Sequence, residues 1–214
     1  MESVRAQVDE AAAAASRAST DVAVVAVSKT KPVEAIQPLI DSGHRLFAEN
    51  RIQEAKAKWP PLKAANSDLR LHLVGGLQTN KMNDALTLFD RIESVDRESL
   101  VDALARKRDL GAPLPSLLMQ INVGEEPQKG GVPPTEADAF AAWAARERNI
   151  CFEGVMGVPP VNEDPAPYFA WLRDTRDRLG LSVLSMGMSA DFGTAIAFGA
   201  THVRIGSALF GERS

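Results

Sequence analysis

The sequence predicts a closed (β/α)8 barrel. Short apolar runs alternate with helical stretches, eight such runs can be counted, and most are apolar throughout rather than at every second residue. Continuous apolar strands are buried on both faces, which marks a parallel sheet covered by helices. Eight parallel strands close such a sheet on itself, and 214 residues allow a small barrel with short loops and no inserted domain. A doubly wound open sheet is the alternative, disfavoured because no G-x-G-x-x-G follows the first strand.

The elements follow in order. Residues 2–18 are alanine-rich and read as a helix with little apolar moment, ahead of a barrel occupying 21–214. Strands are expected near 22–27, 45–48, 70–74, 91–95, 116–123, 151–156, 182–185 and 201–205. Helices are expected around 33–42, 51–58, 80–88, 97–108, 135–148, 166–179 and 189–198. Pro32 sits at a first turn, and Gly43, Gly180 and Gly199 follow last turns. Pro38 lies inside the first of these helices and is expected to kink it. No linker, low-complexity tract or strong internal repeat divides the chain, so one domain over 1–214 is expected.

Composition narrows the function. The chain is 45% hydrophobic, 24% charged and 6% aromatic, as soluble globular proteins are. A net charge of −4 gives no global attraction to nucleic acid or anionic membrane. No stretch approaches the roughly 20 apolar residues of a membrane span, and the N-terminal segment lacks the apolar centre of a signal peptide. A cytoplasmic protein is expected. The single cysteine, Cys151, cannot form an intrachain disulfide and is expected to be a buried, inert thiol.

In such a barrel the chemistry sits where strands end. The stretch "DVAVVAVSKTKP" (21–32) ends its apolar run in Lys29, and side-chain alternation places Lys29 on the inward face with Val25 and Val27. A lysine there is either a solvated strand end or a functional amine. Asn50 shares the inward face with Ala48, and Arg204 with His202. Ser189 and Gly206-Ser207 are expected to open helical stretches after strands 7 and 8, the recurrent phosphate-binding loops of this barrel. Gly206 permits close approach of the backbone to a ligand. A phosphate site beside a strand-end lysine suggests a phosphorylated carbonyl compound held as an imine, in an aldolase or a pyridoxal 5'-phosphate (PLP) protein. Arg204 precedes the phosphate loop by two residues, so it is expected near the ligand body, where a cation disfavours protonation of a pyridine nitrogen. The competing reading pairs Arg204 with a core carboxylate such as Glu49 or Glu153.

The motifs "AVSKTKP" (26–32), "FAENRIQE" (47–54), "LHLVGGLQTNK" (71–81), "LSMGMSADFGTAI" (184–196) and "VRIGSALFGER" (203–213) carry a resemblance. In their order and spacing the chain resembles the pyridoxal phosphate homeostasis (YggS/PROSC) family, similar to the N-terminal barrel of alanine racemase. The resemblance implies PLP held as a Schiff base on Lys29, Asn50 near the ring and Arg204 near the pyridine nitrogen. It places Ser189, Gly206 and Ser207 on the phosphate. It further implies intracellular PLP storage or delivery, with apo PLP-dependent enzymes as recipients, in a protein expected to be a monomer. Two departures stand out: Ala48 replaces a family glycine, and Gly157 falls where a bulkier small residue is common. Neither is expected to touch Lys29, Asn50, Arg204 or the phosphate loops.

The remaining features are expected to be structural. Lys31 reads as a solvated rival amine, held extended by Pro32. His72 reads as a satisfied core histidine, and His44 and His202 lack partners at metal-ligand spacing. The loop "GEEPQKGGVPP" (124–134) could cover the site mouth. A racemase needs a second acid/base opposite the lysine, and the only tyrosine, Tyr168, is expected on an outer helix remote from the mouth. The expected function is therefore non-catalytic PLP binding. A PLP enzyme such as a minor racemase, or a Schiff-base aldolase, is the competing class.

Overall fold

The computed structural model describes residues 1–211. Eight parallel strands close in sequence order: β1 (Ala23–Val27), β2 (Leu46–Glu49), β3 (Arg70–Leu73), β4 (Arg91–Val95), β5 (Ser116–Ile121), β6 (Gly154–Gly157), β7 (Val183–Met188) and β8 (His202–Ile205). β8 pairs with β1 through Val25 opposite Arg204 and Ala26 opposite Ile205, which seals the barrel. The helices α1 (Glu2–Ala14), α2 (Val33–Asp41), α3 (Ile52–Ala65), α4 (Met82–Leu88), α5 (Glu98–Asp109), α6 (Ala137–Arg148), α7 (Ala166–Arg178), α8 (Phe192–Ala197) and α9 (Ser207–Phe210) accompany them. The expected (β/α)8 barrel with an extra N-terminal helix is the fold observed. Glu212 and Arg213, which end the last quoted motif, lie outside the described residues.

Alternation along the strands separates two cores. Val24 and Ala26 of β1 belong to the large apolar layer between strands and helices, whereas Val25 and Val27 form an interior cluster with Ala48. Across the lumen Leu118, Met156 and Val183 form a second small cluster. Four buried polar residues, His72, Glu93, Ser185 and Arg204, lie on the inward faces of β3, β4, β7 and β8. A polar seam inside an apolar barrel must satisfy its own hydrogen bonds.

Several boundaries differ from expectation. α1 ends at Ala14, and its buried face (Val4, Val8, Ala12) packs on α8. α2 runs through Pro38 within the expected bounds, anchored by buried Ile36, Leu39 and Ile40. α3 continues past Pro60 and Pro61 to Ala65, because Trp59 and Leu62 flank those exposed prolines and are both buried. Packing of an apolar face outweighs the proline penalty there. β7 extends to Met188 through Gly187, whose φ is +88° and whose absent Cβ would lie 2.5 Å from Ala195. α8 consequently starts at Phe192, leaving Ser189 in a turn. Cys151 is exposed, not buried: the loop before β6 buries its neighbours Ile150 and Phe152 and turns the thiol outward.

Candidate functional site

A cavity of about 460 Å³ opens at the strand ends. Its wall contains all six residues singled out from the sequence, Lys29, Asn50, Ser189, Arg204, Gly206 and Ser207. Val27, Val74, Met156 and Val158 supply the apolar part of the lining.

The loop carrying Lys29 is clamped from behind by β2 and α3. The Ser28 hydroxyl donates to Glu49 Oε1 at 2.8 Å, and Thr30 N–H donates to Glu54 Oε2 at 2.9 Å. Lys58 Nζ donates to the carbonyls of Ser28 and Lys31, both at 3.1 Å, and sits 2.6 Å from Glu49 Oε1. Trp59 Nε1 donates to the same carboxylate oxygen at 3.1 Å. These bonds hold Thr30 at φ +63°, a conformation few non-glycine residues adopt. The clamp fixes the backbone on both sides of Lys29. Lys31, expected to be solvated, instead lines the same cavity and donates to the carbonyl of Phe210 at 3.0 Å.

Asn50 is placed by close packing of two strand ends. A Cβ at Gly75 would lie 2.1 Å from the Asn50 carbonyl oxygen, so only glycine allows this approach. Gly206 is under no such pressure from the protein, since a Cβ there would meet only Val27 at ordinary contact distance. The space a side chain would take belongs to the cavity edge.

Arg204 is 5% exposed. Its Nη1 donates to Ser185 Oγ at 2.7 Å and its Nη2 to the Gly157 carbonyl at 2.9 Å. Ser185 in turn donates to Glu93 Oε2 at 2.5 Å, and His72 Nδ1 donates to Glu93 Oε1 at 2.7 Å. Burial pushes the Glu93 carboxyl up, but His72, Arg204 and the Ser185 hydroxyl outweigh it and hold it down to about 2. Burial lowers the Arg204 guanidinium, and Glu93 and Asp191 oppose that. Neither Glu49 nor Glu153 pairs with Arg204. Glu49 faces the helix layer and is engaged by Ser28, Lys58 and Trp59, and Glu153 pairs with Arg91. Gly157, expected to be remote from Arg204, accepts from it, while its missing side chain makes room for Leu172 of α7.

Ser189 does not open a helix. Its Oγ accepts from Ala208 N–H at 3.4 Å, joining the loop after β7 to the first turn of α9. Asp191 Oδ1 accepts from Met188 N–H at 2.6 Å and shapes that loop. Ser207 begins α9 as expected. The loop 124–134 contributes none of the described cavity lining; it is pinned to β5 and to the segment after β6 by Gln120 on the Gly130 carbonyl and Lys129 on the Pro159 carbonyl. Tyr168 lies on α7 and donates to Glu163. Glu93 and Ser185 were missed from the sequence, although their inward parity in "RIESV" and "VLSMG" is a readable signal.

A second cavity, about 530 Å³, lies at the opposite end, among the first residues of β2, β3, β4, β5 and β8. Arg91 on its wall donates to Glu153 Oε2 at 2.9 Å, Ser116 Oγ at 3.1 Å and His202 Nε2 at 2.9 Å. Accepting at Nε2 makes His202 neutral, and burial together with Arg91 depresses it to about 4. No cluster of three or more potential metal ligands occurs among the described residues. None of the described helices is long and apolar enough to cross a membrane.

Fold and cavity together define a barrel of the alanine racemase N-terminal type, with an amine, a buried guanidinium and paired hydroxyl loops at its mouth. The family described as alanine racemase, N-terminal domain, matches residues 2–214. Pyridoxal phosphate homeostasis proteins of Pseudomonas aeruginosa and Aquifex aeolicus are 40% and 38% identical, aligned over 98% and 97% of this chain and 93% and 94% of theirs. PipY of Synechococcus elongatus, solved with PLP bound, superposes with a TM-score of 0.81 at 32% identity, covering 96% of this chain and all of that one. Alanine racemase of Clostridium difficile shares the fold (TM-score 0.72, 15% identity), with 90% of this chain matched to 53% of that one. The chain belongs to the pyridoxal phosphate homeostasis protein family.

Proposed function

We propose that this protein binds PLP in the strand-end cavity, held as a Schiff base on Lys29, and stores or delivers the cofactor rather than turning over a substrate. One observation carries the reading: a single cavity gathers an amine, a desolvated guanidinium and two serine hydroxyls around an apolar wall. That donor set fits the cofactor's aldehyde, pyridine nitrogen and phosphate. PLP supplies an aldehyde that condenses with an amine and a conjugated ring whose electronics its neighbours tune.

The chain's own residues do the rest. Lys29, on a clamped loop, presents its amine to the cavity. Arg204 would hold a positive charge near the ring nitrogen, which disfavours a proton there. Ser189 and Ser207 would donate hydroxyls to the phosphate, Asn50 would stand near the ring, and Val27, Val74 and Met156 would shield it from water. The names of the relatives, and a relative solved with PLP, support the same reading. The recipients proposed are apo PLP-dependent enzymes, whose own lysine amine would take the place of the Lys29 amine, which is released unchanged.

Two measurements test this. PLP added to the apo protein should give a visible band between roughly 400 and 430 nm, as a PLP Schiff base does; its absence refutes the reading. Proton exchange at Cα of D- and L-alanine in deuterated water, followed by NMR, should stay far below about 1 s⁻¹, the lower end of ordinary enzyme turnover. Exchange at that rate or faster makes the protein an enzyme such as a racemase.

A further inference from the structure

The polar seam inside the barrel links the two ends of the molecule. It runs from His72 on β3 to Glu93 on β4, crosses the lumen to Ser185 on β7, and reaches Arg204 on β8. Its polarity is set by chemistry. A guanidinium only donates, so the Ser185 oxygen accepts from Arg204 and its hydroxyl proton is left for Glu93. Glu93 is ionised and only accepts, so His72 donates through Nδ1. Every hydrogen bond in the seam has one allowed direction, and reversing one breaks its neighbour.

The seam also sets how the charge of Arg204 is compensated. Among the described residues no carboxylate lies within ion-pair distance of the guanidinium; of the two that compensate it, Glu93 stands one hydroxyl away and Asp191 acts from the loop after β7. A buried cation without compensation is strongly destabilising, whereas a direct bidentate carboxylate would occupy the fork and neutralise it on the spot. The hydroxyl between them avoids both extremes. We propose that Glu93 and Ser185 are positioning residues for the cofactor cavity: through a one-way hydrogen-bond relay they aim the Arg204 guanidinium and leave it without a direct carboxylate pair, so that its charge faces the ligand.

The inference rests on the proposed PLP reading, and its test separates the two. Wild-type apo protein, Ser185→Ala and Glu93→Gln are each titrated with PLP, recording affinity and the position of the visible absorbance maximum, with apo-protein melting as a check on folding. Losing a hydrogen bond to a charged group should weaken PLP binding about tenfold in Ser185→Ala. The absorbance maximum should move as well, because a re-aimed cation changes the electronics of the ring. Glu93→Gln should move it in the same direction. Ser185→Ala deletes one hydroxyl and no charge, so it keeps the test decisive if Glu93→Gln unfolds. If wild type gives no visible band, the PLP reading itself fails. If wild type gives the band and Ser185→Ala keeps the wild-type maximum, with or without lost affinity, the relay is structural only and the positioning role is overturned.

Discussion

Two arginines face the interior of this barrel, and they are used in opposite ways. Arg91, at the end where the strands begin, meets Glu153 directly at 2.9 Å and spends further donors on Ser116 and His202. Its charge is cancelled where it arises, and the cavity beside it is lined by paired groups. Arg204 bonds a hydroxyl and a carbonyl, and its compensating carboxylate is one residue removed. The same side chain is a structural tie at one end and, at the other, lines the strand-end cavity where we propose that its charge serves a ligand. What differs is the distance to the nearest carboxylate.

The sharpest way to break that contrast is to remove each charge in turn. Arg204→Gln should weaken PLP binding by roughly 10- to 100-fold, the worth of a hydrogen bond from a charged donor of about 1.5–3 kcal/mol. Arg91→Gln should leave PLP affinity unchanged and lower the melting temperature instead, because it breaks a tie far from the cavity. Equal affinity losses in both variants would erase the distinction between the two ends.

A second test uses pH. His202 is neutral in the folded protein, depressed to about 4 from the ordinary 6.5. The unfolded chain therefore binds more protons between those values, so stability falls as pH drops from about 6.5 to 4, by an amount on the order of 3 kcal/mol. Glu93, held down to about 2, adds its own loss only at lower pH, as the pH falls from near 4.5 through about 2. Urea midpoints across pH 4–7 should thus decline in wild type and decline less steeply in His202→Gln, where His44, also depressed by burial, still contributes. A slope unchanged in that variant would assign the titration elsewhere.

The smallest expected effect lies at the mouth. Ser189→Ala and Ser207→Ala should each weaken PLP binding by about 1.5 kcal/mol, since backbone N–H groups remain to meet the phosphate. Ser189 is the more informative because its oxygen also accepts from Ala208 N–H. Unchanged affinity in both would reduce these hydroxyls to loop ties.

The sequence made one half of this contrast legible and concealed the other. Parity along "VAVVAVSK" places Lys29 with Val25 and Val27, and the structure puts those valines inside. The strand-end rule then groups six residues that line one cavity. What parity cannot give is which inward residues meet across the lumen. Glu93 and Ser185 are 92 positions apart and on strands that are not neighbours, so only closure of the barrel joins them. That is why Glu49 and Glu153 looked like plausible partners for Arg204. Helix boundaries failed where tertiary packing overrode local signals, as at Pro60-Pro61 beside buried Trp59, and at Ser189, displaced from its helix by the Gly187 turn.

The central claim is that Lys29, alone among the lysines, carries the cofactor. The protein loaded with PLP is reduced with borohydride, digested, and the modified peptide located by mass spectrometry. The account predicts a single pyridoxyl adduct on Lys29, and none in Lys29→Ala, which should fold normally. An adduct on Lys31, which lines the same cavity, or on Lys81 would contradict it.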